Sequence, residues 1–231
     1  MRDILTAGLT GLGLDPAAAP ALERYAGALL EKNKVMNLTA ITQPDQVATL
    51  HLLDCAALLP LSPLAGKTVI DVGTGAGLPG MVLALLTPDA RFTLLDSLGK
   101  RIDFLQEVCD DMGLTHVTCV HARAEEFAGQ HREQYDVAVS RAVAQLNVLC
   151  ELTLPLVKVG GVFLAMKGPD CAEELDEARS AIRKLGGTYE RTVTYTVPGT
   201  DVTHSVVVIR KTAATPPKYP RRWAKMQKEH L

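Results

Sequence analysis

The sequence has few aromatic residues, almost no net charge and no long hydrophobic run. Its 231 residues include four Phe, five Tyr and one Trp, and 24 Lys and Arg face 26 Asp and Glu, a formal charge of −2. The longest uninterrupted apolar stretch is the hexamer Met81 to Leu86, whereas a membrane-spanning helix needs about 18 such residues. No secretory apolar segment follows Met1. These absences predict a protein that acts in the cytosol.

Cysteine chemistry is also sparse. The five cysteines are odd in number, widely spaced and without a Cys-x-x-Cys pair that would indicate a zinc or redox centre. We expect them to be reduced core residues, and we expect no metal site. By contrast, 47% apolar and 22% charged residues provide for a sizeable hydrophobic core and exclude a disordered chain, a collagen or a small disulfide scaffold.

The small net charge hides a basic C-terminal tail. Residues 210–231 contain seven Lys or Arg and one acid, a balance of +6, so residues 1–209 carry −8. A basic tail on an acidic body suggests a polyanionic partner met at one end. A short solubilising extension is the alternative interpretation.

The hydrophobic pattern changes near Gly66. Before it, apolar residues recur at helical spacing; after it, short apolar runs alternate with amphipathic ones, which predicts βαβ units and a parallel sheet. The predicted strands are 68–72, 91–96, 117–121, 136–140, 161–167, 188–197 and 203–211, and the predicted helices 79–86, 99–112, 143–157 and 172–185. Only a turn separates the last two strands, so we expect the last strand to be antiparallel. The predicted organisation is a helical extension over residues 1–65, an α/β domain over 66–211 and a basic tail over 212–231.

A glycine-rich loop follows the first predicted strand. Glycines between Asp71 and Gly80 allow a sharp turn and a close approach to a ligand. The spacing Gly75-x-Gly77-x-x-Gly80 also fits a dinucleotide site. The Asp71 carboxylate would repel a pyrophosphate, whereas it suits the ammonium and sulfonium groups of S-adenosylmethionine. With Asp96 placed to bond the ribose, the charges favour S-adenosylmethionine, and an NAD(P)-dependent oxidoreductase is the alternative.

Further motifs accompany this loop. They are Asn37-Leu-Thr39, His51-x-x-Asp54, Leu94-Leu-Asp-Ser97, Arg123-Ala-Glu-Glu-Phe127, Ser140-Arg-Ala142, Lys167-Gly168 and Tyr219-Pro-Arg221. Together they resemble the RsmG (GidB) family of 16S ribosomal RNA guanine-N7 methyltransferases. Two positions depart from the usual family pattern: Cys55 replaces a Ser, and the tail around Trp223 lacks the expected Gly.

The resemblance implies a class I, Rossmann-like methyltransferase with a mostly parallel seven-stranded sheet and an antiparallel last strand. With the loop reasoning, it gives S-adenosylmethionine as cofactor, bound by Asp71, Gly73, Gly75, Gly77, Leu78, Asp96, Ala124, Glu125 and Arg141. Arg141 is also the candidate catalytic residue. The candidate contacts to the partner, 16S ribosomal RNA or the small ribosomal subunit, are Lys100, Arg101, Arg123, Lys167, Arg221 and Arg222.

Two motifs of other methyltransferases are absent. No Asn/Asp-Pro-Pro-Tyr segment follows the fourth strand, and no Pro-Cys or Thr-Cys nucleophile stands there. These absences fit methylation of a purine ring nitrogen, and the family implies guanine N7 in the 530 loop.

A non-catalytic RNA-binding module stays open as a further alternative. We expect the enzyme to be a monomer. We expect His51 and Asp54 to bond each other, while Trp223 either stacks on a base or anchors the tail.

The first prediction concerns the cofactor. Replacing Asp96 by Ala removes charge-assisted hydrogen bonds to the ribose, each worth about 1.5–3 kcal/mol, so S-adenosylmethionine should bind at least tenfold more weakly in calorimetry. Unchanged affinity, or tighter binding of NAD than of S-adenosylhomocysteine, would contradict the assignment.

Overall fold

A seven-stranded sheet forms the centre of the molecule, which the computed structural model describes over residues 1–231. The strand order is β3-β2-β1-β4-β5-β7-β6. The first five strands are parallel, and β7 is antiparallel to both β5 and β6. The strands are β1 Thr68–Val72, β2 Arg91–Asp96, β3 Val117–His121, β4 Tyr135–Arg141, β5 Val157–Lys167, β6 Gly187–Thr196 and β7 Thr203–Lys211. The predicted α/β fold and its antiparallel last strand are confirmed.

Helices cover both faces of the sheet. They are α1 Arg2–Gly11, α2 Ala19–Met36, α3 Pro44–Val47, α4 Asp54–Ala56, α5 Gly80–Leu86, α6 Gly99–Met112, α7 Ala124–Gln130, α8 Leu146–Thr153, α9 Ala172–Lys184 and α10 Trp223–Lys228. A π-helical segment, Ala48–Leu53, joins α3 to α4, and 3₁₀ turns occupy Pro16–Ala18 and Leu154–Leu156. No helix is both long and apolar enough to span a membrane.

Successive strand residues enter two separate hydrophobic clusters. Val69 and Val137 belong to the cluster that contains α1 and α2, whereas Ile70 and Ala138 belong to the cluster under α8 and α9. This is the alternation expected of strands buried on both faces. The N-terminal helices therefore share one core with the sheet, while the predicted domain boundaries at 65 and 211 stay a prediction.

Helix α2 supports the glycine loop. Its buried Tyr25 donates a hydrogen bond of 2.7 Å to the carbonyl oxygen of Ala76. Asn37 ends the helix in the left-handed conformation, with φ of 48°, as a residue that tolerates this geometry can. The helical extension thus positions the loop that follows β1.

The segment predicted as one helix over 143–157 divides into three parts. Helix α8 ends at Thr153, a 3₁₀ turn contains Pro155, and β5 already begins at Val157. Proline has no backbone N–H to continue a helix, which explains the early end. Helix α7 was missed because its seven residues are too few to show a clear apolar period.

The five cysteines carry free thiols. Four are buried and Cys119 is partly exposed. Burial raises the pKa of Cys55 to about 12, so this thiol is protonated at neutral pH.

The C-terminal residues 212–231, the C-terminal segment, pack on the body. Arg132 donates to the carbonyl oxygens of Thr215 and Tyr219 at 2.7 and 2.6 Å. Arg221 donates to both carboxylate oxygens of Glu151, at 2.9 and 2.7 Å. Met226 is fully buried. The segment is therefore an ordered part of the fold, not a free extension.

The Arg221–Glu151 pair gives a test of this packing. Glu151 is 1% exposed, so replacing Arg221 by Ala removes the charge that pairs with a buried carboxylate and leaves it only the backbone N–H of residue 221. The expected loss is about 3 kcal/mol in the free energy of unfolding, measured with urea. The matched change at the exposed neighbour Arg222 should cost less than about 0.5 kcal/mol. Equal stability of the two variants would contradict the proposed anchoring.

Candidate active site

A pocket of about 270 Å³ opens at the carboxyl edge of the sheet. Residues that follow β1, β2, β3 and β4 line it, at the edge where open α/β sheets bind ligands. Four of the predicted cofactor residues are in its wall: Gly73, Asp96, Ala124 and Glu125. We call this space the cofactor pocket.

Gly73 starts the loop after β1. Its backbone has φ of +73°, and a Cβ atom there would lie 2.5 Å from Val143. Its N–H and that of Thr74 both donate to the carbonyl oxygen of Leu95, at 2.8 and 3.0 Å. Only glycine combines a positive φ with the absence of a Cβ atom. The backbone of the loop can therefore lie directly against the pocket floor.

Asp96 ends β2 and is fixed at the pocket wall. It is 5% exposed. One carboxylate oxygen accepts from the N–H of Gly75 and the other from the N–H of Leu98, each at 2.9 Å. Oδ2 also accepts a long hydrogen bond of 3.4 Å from Arg101 Nη1. Oδ1 has only the Leu98 N–H as partner, so it can accept a further hydrogen bond from a ligand in the pocket.

Asp71 lies below the loop, not in the pocket wall. It is fully buried, and its Oδ2 accepts from the Thr74 hydroxyl at 2.6 Å and from the Gly80 N–H at 2.8 Å. A Cβ at position 80 would lie 2.7 Å from this oxygen. Burial raises the pKa of Asp71 to about 6. Its carboxylate therefore closes the loop onto the helix start, while the cofactor contact predicted for Asp71 stays a prediction.

Other features of Asp71 and the loop still fit S-adenosylmethionine. The second carboxylate oxygen of Asp71 is buried and has no hydrogen-bond partner, and such an acceptor favours a cationic or donor-bearing ligand nearby.

Gly77 and Leu78 face the protein core. A Cβ on Gly77 would meet Tyr25 and Leu105, and Leu78 belongs to the hydrophobic core. Gly75 acts through its bond to Asp96.

A second pocket of about 370 Å³ adjoins the first. We call it the acceptor pocket. Its wall includes His51, Asp54, Arg141, Lys167 and His204. Ala142 lines both pockets and has φ of +56°, a left-handed conformation that costs a non-glycine residue about 1 kcal/mol. The backbone therefore turns sharply at the wall between the two pockets.

Arg141, the last residue of β4, lines the acceptor pocket and not the cofactor pocket. Its Nη1 donates to Asp54 Oδ2 at 3.0 Å and to the Leu50 carbonyl oxygen at 3.2 Å. Its Nη2 donates to His51 Nδ1 at 3.1 Å. The predicted His51–Asp54 bond is therefore wrong, because each residue bonds Arg141 instead. The cofactor contact predicted for Arg141 stays a prediction.

The sequence analysis missed two residues of this network, Tyr195 and His204. Asp54 is fully buried and also accepts from the Tyr195 hydroxyl at 2.7 Å and from His204 Nδ1 at 2.8 Å. Both partners come from the antiparallel pair β6 and β7, about 150 residues later in the chain. No local pattern in the sequence indicates contacts over such a separation.

His51 is neutral at physiological pH. Burial, together with the neighbouring Arg141 guanidinium, lowers the pKa of His51 to about 4. Arginine has only donors, so Nδ1 of His51 accepts from it. The Nε2–H then donates to the Thr39 hydroxyl, 2.7 Å away. No group of three or more His, Cys, Asp or Glu side chains is arranged to hold a metal ion.

The six predicted RNA contacts fall into three groups. Lys100 and Arg222 are exposed. Arg101 and Arg123 are at the rim of the cofactor pocket, 3.4 Å from Asp96 and 3.1 Å from Glu125. Lys167 and Arg221 are mostly buried in ion pairs with Glu174 and Glu151. Arg221 is therefore an anchor of the C-terminal segment rather than a free phosphate ligand.

The sheet order, with five parallel strands and β7 antiparallel between β5 and β6, is that of the Rossmann-like methyltransferase fold. The crystal structure of TrmN from Thermus thermophilus shares this fold, with a TM-score of 0.54 at 22% identity over 68% of this chain and 48% of that chain.

The chain belongs to the rRNA small subunit methyltransferase G family, whose GidB model matches residues 18–200. Ribosomal RNA small subunit methyltransferase G of Alkaliphilus metalliredigens is 48% identical over 215 residues, 92% of this chain and 90% of the relative. The protein of the same name in Alkaliphilus oremlandii is 47% identical over 237 residues, 100% of this chain and 99% of the relative. The family predicted from the motifs is confirmed.

The lowered pKa of His51 predicts a specific acid sensitivity. Between pH 6.5 and 4 the unfolded chain binds a proton at this residue that the native protein does not, so native stability falls as the pH is lowered through this range. Relative to His51→Gln, the native sequence should lose about 2 kcal/mol more of its unfolding free energy between about pH 7 and pH 5.

Urea titrations at the two pH values measure this difference. The raised pKa of Asp71 acts in the opposite direction, since native Asp71 takes up a proton first as the pH falls, but it acts alike in both proteins. Parallel losses in the two proteins would show that His51 is not buried in the neutral form.

Proposed function

We propose that the protein transfers the methyl group of S-adenosylmethionine to N7 of a guanosine in the 530 loop of 16S ribosomal RNA. The observation that carries the proposal is the shared wall of the two pockets at Ala142. One pocket has the carboxylates of Asp96 and Glu125 for an adenosine, and the other has the cationic donors of Arg141 and Lys167 for a base.

On the cofactor side, Asp96 would bond the ribose and Glu125 the amino edge of the adenine. Gly73 leaves the backbone open to the ligand, and Asp71 holds the loop closed. Bound S-adenosylmethionine supplies a methyl group on a positively charged sulfur. The protein's own contribution is to fix that methyl group opposite the acceptor atom.

On the acceptor side, Lys167 and Arg141 have N–H groups that remain free to bind a guanine. Lys167 Nζ uses two of its three N–H groups, toward the Ala144 carbonyl oxygen at 2.9 Å and Glu174 at 2.6 Å. Arg141 also retains N–H groups beyond those that bond Asp54, Leu50 and His51. These free donors suit guanine O6, the acceptor next to N7. A bond to N7 itself would block the transfer, so the donors must leave it free.

The step needs no general base. Guanine N7 carries an in-plane lone pair and no proton, so the lone pair forms the new N–C bond while the C–S bond breaks and its electrons return to sulfur. His51, with its pKa near 4, does not titrate near neutral pH. The function of this pocket is thus positioning, and the step requires no metal. An NAD(P)-dependent oxidoreductase, considered above, does not fit the family of the chain.

A single chain builds both pockets, so we propose a monomeric enzyme. Its substrate is naked RNA or a partly assembled small subunit. In a bacterium such assembly takes place in the cytoplasm, which we propose as the site of action.

The decisive experiment maps methyl groups transferred from tritiated S-adenosylmethionine onto 16S ribosomal RNA. Label should enter the 530 loop, and the modified position should be cleaved by borohydride and aniline, which open N7-methylated guanine but not guanine methylated at N1 or N2. The single-turnover rate should be flat from about pH 6.5 to 8.5. Absence of label would leave a non-catalytic RNA-binding module, and a rate that rises tenfold per pH unit would refute N7 as the acceptor.

Arg141→Lys tests the acceptor pocket with the charge retained. Lysine lacks the planar fork that reaches Asp54 and His51 together, so the single-turnover rate should fall at least tenfold while S-adenosylhomocysteine affinity is unchanged. Arg210→Lys, on the exposed part of β7 beside Glu190, is the matched control and should keep the native rate. An unaffected Arg141→Lys enzyme would remove this residue from the proposed site.

A further inference from the structure

The single tryptophan of the chain lies in the wall of the cofactor pocket. Trp223 belongs to the C-terminal segment, as the first residue of α10. It lines the same space as Asp96, Ala124 and Glu125. None of the other residues that line this pocket is aromatic. The segment that the sequence analysis assigned to RNA thus reaches the cofactor site.

A neighbouring cation holds the indole in place. The guanidinium carbon of Arg123 is 5.3 Å from the centre of the Trp223 ring, within the range of a cation–π interaction. The same guanidinium donates to Glu125 at 3.1 Å. Ring, guanidinium and carboxylate therefore form a connected row along the side of the pocket that follows β3. A base attached to a ribose at Asp96 would have this row within the same pocket.

Contacts on both sides of Trp223 fix the ring relative to the body. Before it, Arg221 binds the nearly inaccessible Glu151 with Nη2 at 2.7 Å from Oε2. After it, Met226 is fully buried. A ring held in advance costs little ordering entropy when a ligand binds.

We propose that the C-terminal segment completes the cofactor site, and that Trp223 supplies the aromatic face on which the adenine ring of S-adenosylmethionine stacks. The proposal rests on the proposed function, since it concerns the same cofactor. The basic composition of the segment suggested a polyanionic partner alone; under the present proposal, truncation after Thr215 should also weaken cofactor binding. It also gives Arg123 a place beside the cofactor rather than against a phosphate.

The emission of Trp223 tests this contact directly, because the chain has no other tryptophan. Titration of the full-length protein with S-adenosylhomocysteine should change the emission intensity or wavelength with the same Kd that calorimetry gives. In calorimetry, Trp223→Ala should bind about tenfold more weakly, the loss expected when a base loses an aromatic stacking partner. Trp223→Phe should retain most of the affinity. Gln227→Ala, an exposed change in the same helix, is the control and should bind like the native protein.

The outcomes separate this proposal from the function itself. If calorimetry shows no binding of S-adenosylhomocysteine to the native protein, the proposed function is wrong. If the ligand binds but the emission stays constant at saturation, Trp223 does not touch it and the present proposal is wrong, whatever the variants do. Equal affinity in the Ala variant and the native protein would overturn it as well. The emission titration uses the native protein, so it stands even if a variant fails to fold.

Discussion

The buried ion pair between Asp54 and Arg141 is the constraint on which the active-site side of the molecule depends. Asp54 has no exposed surface, and it accepts from Arg141, Tyr195 and His204. One carboxylate therefore joins the helical extension, the end of β4 and the antiparallel strands β6 and β7. Leaving such a charge unpaired is costly, so these elements have to meet with these groups in register. The acceptor pocket is the space that this arrangement leaves open.

The pair also positions the junction of the two pockets. With Arg141 fixed, the next residue, Ala142, turns in a left-handed conformation and forms a wall of both spaces. On the other side of that wall, a hydrogen bond from the Gly75 N–H of the glycine loop holds Asp96. The two pockets thus meet at Ala142, and the rate of a transfer between groups held on its two sides would depend on their mutual orientation. The fold can thus support methylation without a titrating catalytic group.

Local sequence patterns predicted much of this fold and a part of the site. The strands β1, β2, β3 and β7 have the bounds that alternation and flanking turns predict. Asp96 and Glu125, both predicted to lie at the ligand edge, line the pocket, because residues at the carboxyl ends of parallel strands meet at one edge. Asp71 satisfied the same rule and still lies below the loop, since the choice between facing a ligand and bonding Thr74 and Gly80 depends on side-chain geometry that no spacing records.

The sequence by itself determined the α/β class, the ligand loop and the methyltransferase family, because periodicity and contiguous motifs are properties of neighbouring residues. Only the tertiary structure decided the partners of Asp54 and the packing of the C-terminal segment. His204 lies 150 positions from Asp54 in the sequence. The basic composition of the C-terminal segment predicts phosphate contacts equally well whether or not Arg221 is paired. Its pairing with Glu151, 70 residues away, arises from the packing of α8 against the end of the chain. Interactions between distant residues depend on how the elements pack, and this information is absent from any local window of the sequence.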